Sequence, residues 1–139
     1  MKRREILYII LISGLIPATW LLILTFLGIY SAILNVELSL NYLLSISSMF
    51  LGIFGYVGLL MLLKGLHKNN QIKKLIFLVC GLIGFLIFMT FLSPRNFSDW
   101  LFEYDFESII GKFPIVVSLT FSVLIVNELI KNKTLTNSF

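Results

Sequence analysis

The residues able to do chemistry in this chain are few and far apart. His67 is the only histidine and Cys80 the only cysteine, so one imidazole and one thiol are all it offers toward a nucleophile–base pair or a soft-metal site, which needs several such ligands. His67 stands among Lys64, Lys68 and Lys74, whose charges disfavour the imidazolium form, and it reads as a loop residue. Cys80 lies inside an apolar run and has no second cysteine to form an intrachain disulfide with. Glu37 and Glu128 are spread too widely along the chain to join either of them. No glycine-rich phosphate loop, nucleophile elbow or paired-histidine motif occurs, and Gly52, Gly55 and Gly58 sit within an apolar run with no strand before it. The sequence therefore predicts no catalytic residue, no metal site and no cofactor, and an enzyme is disfavoured.

The elements that carry these residues follow from composition. Of the 139 residues 58% are hydrophobic and 13% charged, and mean hydropathy is +0.99, whereas soluble domains are about 45 to 50% apolar and about 25% charged. The solvent for most of this chain is lipid. A bilayer core about 30 Å thick is crossed by roughly 20 helical residues, and four apolar stretches reach that scale, at 6–30, 42–63, 75–92 and 113–130, with Glu128 near the end of the last the one charge among them. Little chain is left for a soluble domain, so residues 1–139 read as one integral membrane domain. The start, Met1-Lys2-Arg3-Arg4, has the charge of a secretory n-region, but the apolar run after it is longer than the roughly 7 to 15 residues of a signal core and carries Trp20 late in its course. The expectation is an uncleaved first helix.

Basic residues sort by side. Lys2, Arg3, Arg4, Lys64, Lys68, Lys73, Lys74, Lys131 and Lys133 fall on one side, and only Arg95 and Lys112 on the other. Short basic loops stay in the cytoplasm, which predicts an up-down bundle of four transmembrane helices with both termini inside, in a cell membrane, the bacterial inner membrane above all. Against Glu5 and Glu128 the inner face carries +7, and against Glu37, Asp99, Glu103, Asp105 and Glu107 the outer face carries −3. A basic inner rim suits anionic headgroups and requires no nucleic acid. Tyr30, Tyr42, Trp100 and Tyr104 fall at the outer boundary and Tyr8 at the inner one, as amphipathic rings do.

Helices associate in lipid through close packing, so small residues mark the contacting faces. Ser45, Ser48, Gly52 and Gly55 recur at three- and four-residue steps on the second helix, with Gly58 beyond them, and Gly81 and Gly84 lie on the third between Phe77 and Phe88. Gly14 and Ala18 mark the first helix, Ser118 and Ser122 the fourth. Pro17 removes a backbone donor within the first helix, and Pro114 suits the first turn of the fourth. Thr25, Ser45, Ser48, Thr90 and Ser118 fall in the outer half at 1.5 Å per residue, where they either hydrogen-bond between helices or line a vestibule for a small polar solute. Glu128, one turn from the inner end and three residues before Lys131, reads as an interfacial ion pair, with an ion-coupling site as the sharper alternative.

The segment 93–112 is the most informative. It offers Ser98 as an N-cap with Asp99 behind it, then Trp100-Leu101-Phe102-Glu103-Tyr104-Asp105-Phe106-Glu107. Phe97, Trp100, Leu101 and Tyr104 fall to one side at helical spacing, and Asp99, Glu103 and Glu107 recur four apart on another. A short amphipathic helix on the outer membrane surface is expected, either as an anchor or as a recognition surface in which Asp99, Trp100, Glu103, Tyr104 and Glu107 contact a basic partner. Lys112 would snorkel to the headgroups. The three-residue matches to a glycosylation sequon, at Asn96 and Asn132, carry little weight.

In size and plan the chain resembles small multi-span bacterial inner-membrane proteins, including some that protect a cell against pore-forming bacteriocins. The resemblance implies a non-enzymatic protein that acts through contacts with another membrane or extracytoplasmic protein, as a subunit, an assembly factor or a self-protection protein. The alternative is a small homo-oligomeric transporter or channel for an ion or small solute, because four helices without a midplane charge leave little room for a pathway in one copy.

Overall fold

The computed structural model describes residues 3–34, 39–65, 70–92 and 97–136, with side chains at 5–34, 39–65, 70–91, 98–105 and 108–131. The described chain is all helical. Helix α1 spans Arg3–Leu34, α2 Leu40–Leu63, α3 Gln71–Ile87, α4 Phe97–Phe102 and α5 Phe106–Thr136, and α3 runs on into a π-helical turn at Phe88–Leu92. Four of these are long and apolar enough to cross a membrane, over Glu5–Leu34, Leu40–Leu63, Gln71–Phe91 and Ser108–Lys131.

Every span is longer than the apolar stretch that marks it, and capping groups account for much of the difference. Ser39 holds extended backbone at the start of α2 and its hydroxyl accepts from the Tyr42 amide at 3.2 Å, so the helix begins before residue 42. Gly65 ends α2 at φ +106°, a left-handed conformation that a glycine adopts without strain, and its amide returns to the Leu62 carbonyl at 3.0 Å. Asn70 takes φ +83° immediately before α3, which therefore starts at Gln71 and carries Lys73 and Lys74 inside the helix instead of in the loop expected up to residue 75. Asp105 caps α5: its carboxylate accepts from the Ser108 amide at 3.3 Å, and its carbonyl from the Ile109 amide at 3.1 Å. The last helix thus begins at Phe106 and not near 113. Pro114 lies in its interior, where it withholds one hydrogen bond, and not in its first turn.

Contacts between helix ends fix which elements meet. The Tyr8 hydroxyl donates to the Leu63 carbonyl at 3.5 Å, and the Tyr42 hydroxyl to the Ala32 carbonyl at 3.0 Å, tying the two ends of α1 to opposite ends of α2. The closest approach is between α2 and α3. A Cβ built on Gly55 would lie 2.6 Å from Gly81 Cα, and one on Gly84 would meet Ser48 O at 2.9 Å and Gly52 N at 3.1 Å. Backbone touches backbone there, and only the missing side chains permit it. On the other side, Gly14 of α1 receives Val117 of α5, whose Cγ2 stands 2.7 Å from where a Cβ would be.

A solid core fills the half of the bundle nearer the Gly65 turn. Leu11 and Leu15 of α1, Leu59 and Leu62 of α2, Leu78 of α3, and Val117, Phe121 and Ile125 of α5 are buried together, with Leu7, Leu75 and Leu129 packed against them. Ile16, Leu27, Phe91, Val116 and Val123 point outward. Outward apolar faces of this extent are what lipid, not water, solvates.

Candidate functional site

The half of the bundle bearing α4 is built differently. The peptide after α4 turns sharply through Glu103, Tyr104 and Asp105, and polar groups of α5 hold that turn from below. The Ser108 hydroxyl, itself buried, lies 2.9 Å from the Glu103 carbonyl and 3.1 Å from that of Asp105. The Lys112 ammonium donates to the Glu103 carbonyl as well and stands 3.4 Å from Ser108 Oγ. Instead of extending to headgroups, Lys112 folds back onto its own connecting segment, with its charge 5.3 Å from the centre of the Trp100 ring and 5.5 Å from that of Tyr104, a distance at which ring and cation attract.

Trp100 turns inward. Its ring meets Phe85 of α3 with centroids 5.2 Å apart and lies over Gly111 of α5, where a Cβ would be in van der Waals contact with Trp100 Cζ2 at 3.4 Å. Its neighbours on α4 and in the turn after it do the opposite: Leu101 is exposed, Phe102 is 72% exposed and Tyr104 83%. Asp99 is exposed beside them, with Ser98 Oγ 3.4 Å from its Oδ1. One indole is thus anchored while two adjacent aromatic rings are displayed.

The sequence pattern and the structure divide this segment differently. Asp99, Glu103 and Glu107 recur four apart, but α4 ends at Phe102, Glu103 lies in the turn, and Glu107 belongs to the first turn of α5, so the three do not line one helix. The helix starts before Ser98, which leaves Ser98 inside it and not at its cap. The side chains of Phe97 and Glu107 lie outside the described residues, as do Glu37, His67, Arg95 and Asn96 altogether. Trp100, counted with the displayed residues, braces the segment.

Beneath Trp100 the four long helices line an open-sided cavity of about 440 Å³. Ala18, Leu22 and Thr25 of α1, Ser48, Gly52 and Tyr56 of α2, Gly81, Phe85 and Met89 of α3, and Gly111, Pro114 and Ser118 of α5 are in its wall. Of the five hydroxyls expected in this half, Thr25, Ser48 and Ser118 reach the cavity, while Thr90 faces outward and Ser45 stands behind Ser48. Thr25 Oγ1 donates to the Leu21 carbonyl and Ser48 Oγ to that of Ser45, each at 2.8 Å. Tyr56 carries no pattern signal, yet its phenol lies 3.1 Å from Thr19 Oγ1. Since Thr19 already donates to the Leu15 carbonyl at 2.8 Å, Tyr56 is the donor between them.

At the other end a second polar cluster spans three elements. Lys74, only 4% exposed, donates to the Gly65 carbonyl at 2.6 Å, and the Glu128 carboxylate is the opposite charge acting on it. Gln71 Nε2 donates to Glu128 Oε2 at 2.9 Å. Glu128 therefore joins α5 to the first turn of α3, a bond that spacing along α5 alone does not reveal. Ser122 Oγ is buried without a hydrogen bond among the described residues, and Gly52, placed with the packing glycines, faces the cavity instead. Cys80 is a free, half-buried thiol, and no three His, Cys, Asp or Glu side chains come together among the described residues.

Comparison with known protein families, curated proteins and solved structures finds no match to this chain.

Proposed function

We propose that this chain is a non-enzymatic multi-pass membrane protein that acts by contacting another protein, as a subunit, an assembly factor or a self-protection protein, through the segment 98–105. The observation that carries the reading is the pairing of a fixed Trp100 with displayed Phe102 and Tyr104. A segment serving only as an anchor has no need to be held from below by Ser108 and Lys112, whereas a recognition surface gains affinity from being ordered before it binds. Exposed aromatics next to Asp99 suit a partner with apolar and basic groups.

The topology that goes with this reading is an up-down bundle with both termini in the cytoplasm of a bacterial cell and α4 at the outer surface. It is supported by the end-to-end contacts of Tyr8 with Leu63, Tyr42 with Ala32 and Gln71 with Glu128, and by the sorting of basic residues. The solid core around Phe121 leaves a transport reading with pathways between copies, not through one.

Photoreactive benzoylphenylalanine placed at Phe102, at Tyr104 and, as a lipid-facing control, at Ile16 tests the proposal in cells. A discrete protein adduct from the first two positions, absent at Ile16, is expected. Adducts to lipid alone at all three would sink the contact reading and leave an anchor.

A further inference from the structure

The cavity beneath Trp100 carries an inference independent of the exposed surface. We propose that it is a binding site for a neutral lipophilic small molecule bearing one hydrogen-bonding group, a hydroxyl or a carbonyl. Its volume of about 440 Å³ lies within the roughly 300 to 1,000 Å³ of small-molecule sites, and an apolar wall with few polar groups is the usual lining of such sites.

Two observations set this space apart from a packing defect. The first is Gly52. At Gly55 and Gly84 a side chain would run into the backbone of the facing helix, but a Cβ on Gly52 meets nothing within 4 Å. The Gly52 backbone lies near Gly84, but no clash demands glycine there; what the missing side chain preserves is open volume. The second is Ser118. The hydroxyls of Thr19, Thr25, Ser48 and Thr120 each close on a carbonyl of their own helix. Ser118 is 8% exposed, lines the cavity, and makes no hydrogen bond with the described residues. With its hydroxyl left open at the cavity wall, Ser118 can donate to or accept from a ligand hydroxyl or carbonyl.

Placement on the helices sets the ligand's orientation and charge. From Gly111 to Ser118 is seven residues of α5, about 10 Å at 1.5 Å per residue, so the polar group sits at the floor of the site and the apolar body extends toward Trp100. No ionisable side chain lines the wall, apart from the Tyr56 phenol, and a charged ligand would be left without a counter-ion at membrane depth.

The chain has two tryptophans, and they make the test self-controlled. Trp20 is 56% exposed on the lipid face. With Trp20→Phe, Trp100 becomes the sole reporter; with Trp100→Phe, Trp20 reports membrane partitioning alone. Both proteins are placed in phosphatidylcholine vesicles and titrated with 10-bromo-1-decanol, whose bromine quenches indole emission on contact. Saturable quenching of Trp100 is expected, against a linear response of Trp20. Gly52→Leu, whose Cβ has no neighbour within 4 Å and whose side chain would extend into the space, should remove the saturable component while leaving the Trp100 emission maximum unchanged. Ser118→Ala should weaken half-saturation roughly fivefold, the worth of one hydrogen bond of about 1 kcal/mol. Linear quenching at both tryptophans, insensitive to Gly52→Leu, would overturn the site. Saturable quenching unchanged by Ser118→Ala would overturn the ligand class, and a Gly52→Leu protein that has lost its helical circular dichroism would be replaced by Gly52→Val, for which the same loss of saturation is required.

Discussion

The two halves of the bundle are built from the same four helices and nearly the same residue types, yet one is solid and the other hollow. Toward the Gly65 turn, Leu11, Leu62, Leu78, Phe121 and Ile125 close on one another with almost no exposed surface. Toward α4, Ser48, Gly52 and Ser118 face the interior and a cavity remains, with Ala18 and Leu59 at the boundary between core and cavity. The polar groups differ in the same sense. Lys74, Gln71 and Glu128 join three elements and lock one end, while Lys112 and Ser108 spend their hydrogen bonds on a single connecting turn. The comparison teaches that apolar content makes a helix compatible with lipid, and that side-chain size at the interior positions decides where the protein is rigid and where it has room.

The sharpest way to break the comparison is at the helix contact that both halves depend on. Gly55→Leu places a side chain against Gly81 Cα, which is backbone and has nowhere to go. A loss of about 3 kcal/mol or more is expected, read as a lower midpoint of unfolding in mixed micelles titrated with sodium dodecyl sulfate. A midpoint equal to that of the unmodified protein would mean that α2 and α3 do not pack as described.

The locked end is tested by asymmetry. Glu128→Ala leaves Lys74 without its counter-charge and Gln71 without an acceptor, and should cost about 2 kcal/mol. The double change Lys74→Met with Glu128→Gln removes the buried charges together, retains a polar group for Gln71, and should recover most of that loss in the same titration. Equal losses in both proteins would show that the cluster does not act as a unit.

The open end responds locally. Trp100→Ala removes the contacts with Phe85 and Lys112, and global stability should fall by only about 1 kcal/mol. Amide hydrogen exchange at Glu103, Ser108 and Ile109 should rise about tenfold, because a tenfold change corresponds to about 1.4 kcal/mol of local opening. Exchange that rises equally in α2 would show that the brace supports the whole bundle.

How much of this was legible follows from what each kind of signal encodes. Four long helices are visible because hydropathy over some twenty residues averages out single side chains. Their ends are not, because charged residues such as Lys73, Lys74 and Lys112 enter the helices, and caps at Ser39 and Asp105 act through geometry that no hydropathy window registers. Small-residue spacing marked Gly55, Gly81, Gly84 and Gly14, which the structure places against neighbouring helices. It marked Gly52 in the same way, although Gly52 faces open space, because a three- or four-residue step places a residue on a stripe without saying what lies opposite. Tyr56 and Gln71 gave no signal at all: a lone tyrosine in an apolar run, or a glutamine among the polar residues before Lys73 and Lys74, becomes meaningful only when Thr19 or Glu128 is brought to it from another helix.

Gly52 supplies the smallest expected effect and the one that separates the two halves most cleanly. Replacing a mid-helix glycine with alanine reduces the backbone freedom of the unfolded chain and is stabilising by about 0.4 to 1 kcal/mol wherever the methyl group fits. At Gly55 it does not fit, since even a Cβ would overlap Gly81, and Gly55→Ala should destabilise. At Gly52 the Cβ has nothing within 4 Å, so Gly52→Ala should raise the unfolding midpoint slightly. The two substitutions are chemically identical, lie one helical turn apart on α2, and should shift the midpoint in opposite directions. If both lower it, Gly52 is a packing glycine after all and the hollow half closes in the membrane; if the signs differ, the space beside Gly52 is part of the folded protein.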